Sequence, residues 1–419
     1  DGFCICREQD STDAYGLRGG YSNGAYYPSK KNMLSAAVDM ANAVRAPVFR
    51  MLTPDPIYNY DHPERFYPGF GKGDGCLTLE PVWRSGYTPS VVDWYFRTYC
   101  DAPGLLNLSY VQIGQENAFG WRKISKGLPL QCERLAGLEK AGKVVVETMG
   151  ETARRFKREH PRNCAQTQVA LEDWKGAGRK SVWYNCATYR ANLFLDGNRL
   201  QFRDIHVMRD DYAEPYLERA CTNWSASYFT PPVVDLSLAV SNRQFRTIDF
   251  PGKYVKLVPE GDGRSRLSVS CVRADGGVLK VEFAEDRLTV RGGEIDWPHL
   301  RTGCLQFEFD GYRYAVGCEV DSDRRGFTLR PQGGIRLRVR PTAGDATAAI
   351  QGEIDRAFKA GGGTVVVGRG EWNVKSLRVR SRVTLYLESG ATIRGSRNPE
   401  DYFILDDDAV EPVPRTWIT

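Results

Sequence analysis

Apolar residues recur at short, regular intervals in the last part of the chain, and the pattern there predicts one helix followed by several strands. A helix over 346–360 places four apolar residues on one stripe, namely Ile350, Ile354, Ala357 and Phe358. Glycine adopts left-handed backbone without a Cβ penalty, so the glycines at 361–363 end this helix. The β-rich runs that follow are 364–367, 377–379 and 383–387. Such short, closely spaced strands favour parallel solenoid coils over a hairpin sheet.

The residue sequence of this segment resembles one known family in detail. DATAAIQGEIDRAFKAGGGTVVV, followed by VTLYLESGATIRGSRNPEDY, resembles the N-terminal cap and first coils of the right-handed parallel β-helix of pectin-degrading enzymes. The resemblance is to the polygalacturonases of glycoside hydrolase family 28 and covers roughly residues 341–405. It implies a β-helix and a galacturonan-type substrate. In that family the catalytic aspartates lie on later coils, so no catalytic residue is carried over. The alternative is a small helix-plus-sheet module that closes the protein.

Residues 1–235 alternate predicted strands with predicted helices. The helices are predicted at 30–44, 89–100, 128–142 and 150–161. The strands that bear on function are predicted at 105–117, 143–150 and 167–174. This alternation favours an α/β fold with a parallel sheet, and we expect part of a (β/α) barrel, resembling bacterial glycosidases loosely. A doubly wound open sheet is the alternative, although no nucleotide-binding glycine motif occurs in the right context.

Residues 236–340 carry shorter strands with strict alternation, such as Leu279, Val281 and Phe283 between polar neighbours. Glycine-containing turns separate them, which predicts an antiparallel β-sandwich. We therefore expect a multidomain α/β plus all-β chain. Its predicted domains are a barrel region at 1–235, a sandwich at 236–340, and capped β-helix coils at 341–419. We also expect the chain to be an internal piece of a longer bacterial protein, one that is secreted or periplasmic.

Composition narrows the function classes. The chain is 42% hydrophobic and 26% charged, as in ordinary globular proteins. No run of eighteen apolar residues predicts a membrane span. The net charge of +5 is spread without long basic blocks, so we predict no nucleic-acid partner. A mild positive charge suits an acidic polysaccharide of the plant cell wall.

Carboxylates follow several predicted strands of the barrel region, where barrel enzymes carry their chemistry. Glycoside hydrolysis needs two of them, one acid for the leaving oxygen and one base or nucleophile at the anomeric carbon. Glu116 is the first choice, followed by Asp173, with Glu147 or Asp55 as the other partner. Each residue taken alone is also compatible with a salt-bridge or capping role.

Aromatic and polar neighbours of these carboxylates predict a sugar-binding surface. Asn117 and Trp121 follow Glu116, and Trp174 follows Asp173. The loop at 15–32 is rich in glycine and tyrosine, and its predicted sugar-binding residues are Tyr21, Tyr26, Tyr27 and Arg18. Stacking on tyrosine faces would hold sugar rings, and the arginine would bind a substrate carboxylate. A rigid, tyrosine-packed surface loop is the other interpretation.

Metal chemistry has little support in the sequence. Asp204, His206, Asp210 and Asp211 cluster along one stretch, but the chain has only four histidines and no HxxxH or HExxH pattern. Asp204 and His206 alternate on a predicted strand and suit a hydrogen-bonded pair. We predict no metal and no cofactor, and hydrolysis of pectic polysaccharide by two carboxylates. The alternatives are a non-catalytic carbohydrate-binding or scaffold protein, and a polysaccharide lyase of the pectate lyase superfamily.

Overall fold

The computed structural model describes residues 5–7, 19–50, 56–58, 81, 88–101, 105–106, 108–111, 113, 120–220, 222, 229–360 and 362–402. The chain is divided into two compact units. The first unit comprises 1–298 with 309–312, and the second comprises 299–308 with 313–419.

The first unit holds fifteen strands and five α-helices among its described residues. The strands are β1 (Ile5–Arg7), β2 (Ala25–Tyr26), β3 (Pro28–Ser29), β4 (Asn32–Ala36), β5 (Val48–Arg50), β6 (Gln166–Ala170), β7 (Lys180–Asn185), β8 (Tyr189–Asp196), β9 (Arg199–Val207), β10 (Pro232–Asp235), β11 (Ile248–Phe250), β12 (Tyr254–Gly261), β13 (Leu267–Arg273), β14 (Val278–Ala284) and β15 (Arg287–Arg291). The helices are α1 (Pro89–Phe96), α2 (Trp121–Ile124), α3 (Gly127–Lys140), α4 (Met149–Glu159) and α5 (Leu236–Ala239). A π-helical turn, Arg97–Asp101, continues α1.

Strand pairing in this unit is mostly antiparallel. β1 pairs with β5 in parallel, as a barrel would require. From β6 to β10, however, neighbouring strands run antiparallel in one sheet, with β11 beside β9. The predicted parallel arrangement is therefore wrong for 166–235. Short hairpins connect β7 to β8 and β8 to β9, and such connections require antiparallel neighbours. No sheet closes on itself within the described ranges.

The hairpin between β8 and β9 shows how local sequence fixes this sheet. Asp196 pairs with Arg199, and Gly197 in the turn between them has a φ of 59°, where a glycine is unstrained. A second antiparallel sheet, β12 to β15, faces the first. Phe283 of β14 stacks on Tyr184 of β7 with ring centroids 5.2 Å apart. The alternating residues predicted for a sandwich thus pack against strands that the sequence placed in the barrel.

Two segments of the first unit differ from their predicted structure. The segment 30–44 was expected to be helical but contains β4 and a short 3₁₀ helix, Met40–Asn42. Here the Asn32 side chain accepts a hydrogen bond from the Leu34 N–H and so supports a non-helical turn. The predicted strand at 143–150 does not form, since 143–148 are outside any strand and α4 begins at Met149.

Among its described residues, the second unit contains eight further strands, β16 to β23, and one long helix. These elements are β16 (Gly303–Phe309), β17 (Tyr312–Val320), β18 (Gly326–Arg330), β19 (Ile335–Arg338), α6 (Thr347–Lys359), β20 (Gly363–Val367), β21 (Gly370–Val374), β22 (Val383–Leu387) and β23 (Ala391–Gly395). β17 and β18 are antiparallel.

The strands after β18 form two parallel ladders. β20 lies between β19 and β22 and is parallel to both, while β21 is parallel to β23. Helix α6 buries Ile350, Ile354 and Ala357 against these strands, as predicted, while Phe358 remains 41% exposed. Parallel ladders beside an amphipathic helix match the expected local arrangement. Their continuation into a β-helix stays a prediction.

Candidate functional site

A cavity of about 430 Å³ lies beside α3 and α4 and is lined by one of the four predicted catalytic carboxylates, Glu147. Its volume is within the range of small-molecule sites. Its lining includes Ile113, Glu147, Thr152 and Arg155. Apolar side chains of the predicted strands 105–117 and 143–150 complete the wall.

Local sequence fixes Glu147 at this wall. Thr148 caps α4 and exchanges hydrogen bonds with Glu151, so the helix begins directly after Glu147. Glu147 Oε2 accepts a hydrogen bond from Thr152 Oγ1 at 3.1 Å and lies 3.0 Å from Arg155 Nη2. Its other oxygen, Oε1, accepts no hydrogen bond from the described residues. The side chain is 18% exposed, and one oxygen of the carboxylate is thus available to a ligand.

Asp173, the second predicted catalytic residue, organises a loop instead. The Tyr58 hydroxyl donates to both of its oxygens, at 2.7 and 2.8 Å. Three backbone N–H groups, those of Lys175, Ala177 and Arg179, donate to the same carboxylate. The residue is half-buried and its lone pairs are occupied, so this geometry gives Asp173 a structural role.

The turn that carries Tyr58 is itself anchored from the sheet. The buried Arg203 side chain donates to the carbonyl oxygens of Pro56 at 2.8 Å and Ile57 at 2.9 Å. The same guanidinium lies 3.7 Å from the centre of the Phe194 ring. The loop held by Asp173 is therefore tied to β8 and β9 through this turn.

The predicted tyrosine wall lies in the core. Tyr21, Tyr26 and Tyr27 are at most 3% exposed, and their hydroxyls donate to backbone carbonyls. Burial raises the pKa of Tyr21 well above its ordinary value. A buried ring offers no face to a sugar, so the predicted stacking role is corrected for all three residues. The second interpretation, a tyrosine-packed loop, fits the structure.

Of the two tryptophans predicted to bind sugar, Trp121 is 65% exposed at the start of α2. Trp174 is half-buried and packs edge-on against Tyr58, with ring centroids 5.7 Å apart. Neither lines the cavity. Four predicted site residues lie outside the described residues, namely Glu116, Asp55, Asn117 and Arg18. Their roles remain predictions.

A buried polar network spans β8, β9 and β10. Arg190 binds both oxygens of Asp204, at 3.0 and 2.7 Å. His206 Nε2 lies 3.0 Å from Asp235 Oδ2 and 3.7 Å from Asp204 Oδ2, while its Nδ1 lies 3.0 Å from Thr230 Oγ1. All five side chains are fully buried. Asp204 and His206 do lie together, as the alternation predicted, but the closer partner of His206 is Asp235.

The donor atoms of Asp204, His206 and Asp235 lie within 4.8 Å of one another, a spacing that a metal ion could use. The hydrogen bonds argue against it. Asp204 is neutralised by Arg190, and Asp235 Oδ1 accepts from the Ser237 N–H, the Ser237 hydroxyl and the Leu238 N–H. A divalent cation would lie beside the guanidinium group of Arg190. These residues fit a self-contained ion network better than a metal site.

Electrostatics within this network depend on its partners. Burial acts to raise the pKa of the Asp235 carboxyl, but hydrogen bonds from His206 and Ser237, with the charge of His206, lower this pKa below its ordinary value.

The other residues predicted as metal candidates, Asp210 and Asp211, lie outside this network. Asp210 accepts hydrogen bonds from the Val38 and Asp39 N–H groups, and Asp211 pairs with Arg209.

Sequence reasoning missed Arg190 and Asp235. Asp235 had a detectable signal, because an aspartate directly before a short apolar run with serine two residues later is a typical helix N-cap. Arg190 had none, since its partnership with Asp204 depends on the register that pairs Arg190 with His206 across the hairpin.

The chain matches no protein-family profile and no curated protein sequence. Among solved structures it is similar to a candidate glycoside hydrolase/deacetylase from Parabacteroides distasonis, at 14% identity and a TM-score of 0.44. That similarity covers 58% of this chain and 59% of the other. It is also similar to a family 28 exopolygalacturonase from Yersinia enterocolitica, at 17% identity and a TM-score of 0.18, over 53% of this chain and 34% of the other. Both descriptions name carbohydrate-active enzymes, but TM-scores this low carry no argument about fold or site.

Proposed function

We propose that the chain belongs to a glycoside hydrolase acting on pectic, galacturonan-type polysaccharide, with Glu147 as one of its two carboxylates. The observation that carries this proposal is the position of Glu147 at a cavity of ligand size, with one carboxylate oxygen unoccupied by the described residues. Support for the pectic substrate comes from the resemblance of 341–405 to polygalacturonases and from the parallel ladders there.

The contacts of Glu147 suggest its role. Arg155 and Thr152 both contact Oε2 and orient the side chain, while Oε1 accepts no hydrogen bond from the described residues. An oriented carboxylate with one open oxygen suits the nucleophile or base of a glycoside hydrolase. The acid is assigned to Glu116 as a prediction. Ile113 lines the same cavity, and Glu116 follows it by three residues in the sequence.

Replacing Glu147 with glutamine tests the proposal. Loss of a reacting carboxylate should lower the release of reducing ends from polygalacturonate by about 10²–10⁴-fold. Glu159→Gln is the matched control, since Glu159 lies on the same helix, pairs with Arg158 and does not line the cavity. Equal activity of the two variants would contradict the role of Glu147, and no hydrolysis by the unaltered protein would contradict the reaction.

A non-catalytic carbohydrate-binding protein is the second candidate. It is favoured by the ion pair between Glu147 and Arg155 and by the occupied carboxylate of Asp173, since both carboxylates already have structural partners. The two candidates differ in one result. A binding protein would retain polygalacturonate without ever releasing reducing ends, and Glu147→Gln would leave that retention unchanged.

A further inference from the structure

We propose that the outer face of the β19–β20–β22 ladder is a binding surface for a carboxylated polysaccharide, separate from the Glu147 cavity. We call it the arginine face. Its residues are Arg336, Arg338, Arg340, Thr364, Arg382, Thr384 and Tyr386. The choice of a carboxylated sugar polymer as occupant rests on the proposed function. The position and charge of the surface do not depend on the proposed function.

Alternation along β19 creates this face. Ile335, Leu337 and Val339 are buried in the core of the second unit, while the arginines between them are exposed. The parallel register places Arg336 level with Thr364 and Thr384 on the two neighbouring strands. Neighbouring strands are about 4.8 Å apart, and same-face residues are about 6.6 Å apart along a strand. The result is a regular grid of cationic, hydroxyl and aromatic groups, interrupted by the buried Val366 level with Arg338 and Tyr386.

Three of the four guanidinium groups form no ion pair among the described residues, although the charge of Arg336 also interacts with Glu388. Arg338 is paired with Glu388, but Arg336, Arg340 and Arg382 take part in no ion pair there. The guanidinium of Arg336 lies 5.2 Å from the ring centre of Tyr386, whose side chain is 45% exposed. Contact with an aromatic ring orients a guanidinium group without neutralising it.

Arg382 adds a second observation. Its φ of 62° lies in the left-handed region, where most residues are strained and glycine or asparagine is preferred. Its carbonyl accepts from Gly363 N–H, so the backbone position is fixed by the ladder. Backbone strain of this kind is often found at functional sites, and here it holds an exposed cation at the edge of the face.

Charge complementarity selects the occupant. Residues 335–402 contain 12 Lys and Arg against 7 Asp and Glu, a surplus equal to the net +5 of the whole chain. Arginine binds carboxylate with two parallel hydrogen bonds, and threonine hydroxyls between the arginines suit sugar hydroxyls. A polymer with one carboxylate on each sugar would meet this grid along its length. Nucleic acid is the competing polyanion.

Binding of a defined galacturonate oligomer to the full chain tests this inference, with the methyl-esterified oligomer as the uncharged probe. We expect the acidic oligomer alone to bind, and more weakly as salt rises to physiological strength. The double variant Arg336→Gln/Arg382→Gln should bind it about tenfold more weakly, since each exposed charge contact is worth only a few-fold. Arg246→Gln is the matched control, an exposed arginine of the first unit without an ion pair among the described residues.

Three results would overturn the inference. They are equal binding of the esterified oligomer, equal loss in Arg246→Gln, and tighter binding of a single-stranded DNA of similar length. Hydrolysis is measured on the same samples. Oligomer binding that depends on the two arginines, without any hydrolysis, would contradict the proposed function but support the arginine face as a binding surface. Hydrolysis together with oligomer binding that the double substitution leaves unchanged would contradict the arginine face and support the proposed function.

Discussion

Asp235 joins two structural features through one carboxylate, the buried ion network and the start of α5. One oxygen lies against His206 Nε2 and the other caps α5 through the Ser237 and Leu238 N–H groups. The network also contains Arg190 and Asp204, so two carboxylates face one guanidinium and one imidazole in the core. Removing one member leaves a buried charge without its partner, which is costly.

The lowered pKa of Asp235 predicts acid sensitivity. A carboxyl whose folded pKa is lower than its unfolded value stabilises the protein above the unfolded value, about 3.9. That contribution is lost as pH falls through the folded pKa. Asp235→Asn should therefore lower the free energy of unfolding by about 3 kcal/mol near pH 7 and flatten its dependence on pH below about 4.

Chemical unfolding at a series of pH values measures both effects. Asp323→Asn, in a surface turn, is the control and should cost less than about 0.5 kcal/mol. If the free energy of unfolding of Asp235→Asn fell as steeply with pH below about 4 as that of the unaltered protein, another carboxyl would be responsible for the acid sensitivity.

Asp173 provides a direct contrast between a structural and a catalytic role. Asp173→Ala removes the acceptor of three backbone N–H groups and of the Tyr58 hydroxyl, which should lower the free energy of unfolding by about 2–3 kcal/mol. Hydrolysis by the folded fraction should be nearly unchanged. Loss of hydrolysis in a variant of normal stability would instead restore Asp173 to the reaction.

At the scale of elements, α6 is held by its buried stripe. Ile354 is fully buried against the parallel ladders, and Phe358 on the same helix is 41% exposed. Ile354→Ala should lower the stability of the second unit by about 2–4 kcal/mol, and Phe358→Ala by less than about 1 kcal/mol. Thermal unfolding of both variants measures the difference. Similar losses would mean that α6 packs differently from the structure described.

The sequence predicted elements best where one local rule decided the outcome. The helices predicted at 128–142 and 150–161 agree with α3 and α4 to within two residues at each end. The failures involve apolar segments whose partners lie far away. The stretch 143–148 has strand-forming residues, yet Val145 is 67% exposed and no strand pairs with it among the described residues.

The candidate site was predictable only in part, for a related reason. Carboxylates after predicted strands were easy to find, and Glu147 does line a cavity. Whether a carboxylate is available depends on tertiary contacts, such as the Tyr58 hydroxyl on Asp173, 115 residues away in the sequence. The burial of Tyr21, Tyr26 and Tyr27 likewise depends on carbonyls contributed by other segments.

At the scale of the whole molecule, each unit contributes a different property to the account. The first unit contains the Glu147 cavity, and the second contains the parallel ladders with the arginine face. The described part of the chain contains no helix long and apolar enough to cross a membrane. Under the proposed function, the first unit would cleave an acidic carbohydrate polymer, and the arginine face of the second would bind it.

The most direct measurement of this claim is the mass of the products formed from a galacturonate oligomer. Hydrolysis adds one water for each bond cleaved, whereas a lyase forms an unsaturated product without adding water. We predict fragments whose masses include one added water for each bond cleaved. These fragments should be absent with Glu147→Gln and present with Glu159→Gln. Unsaturated fragments, or an intact oligomer after prolonged incubation with the unaltered protein, would contradict the account.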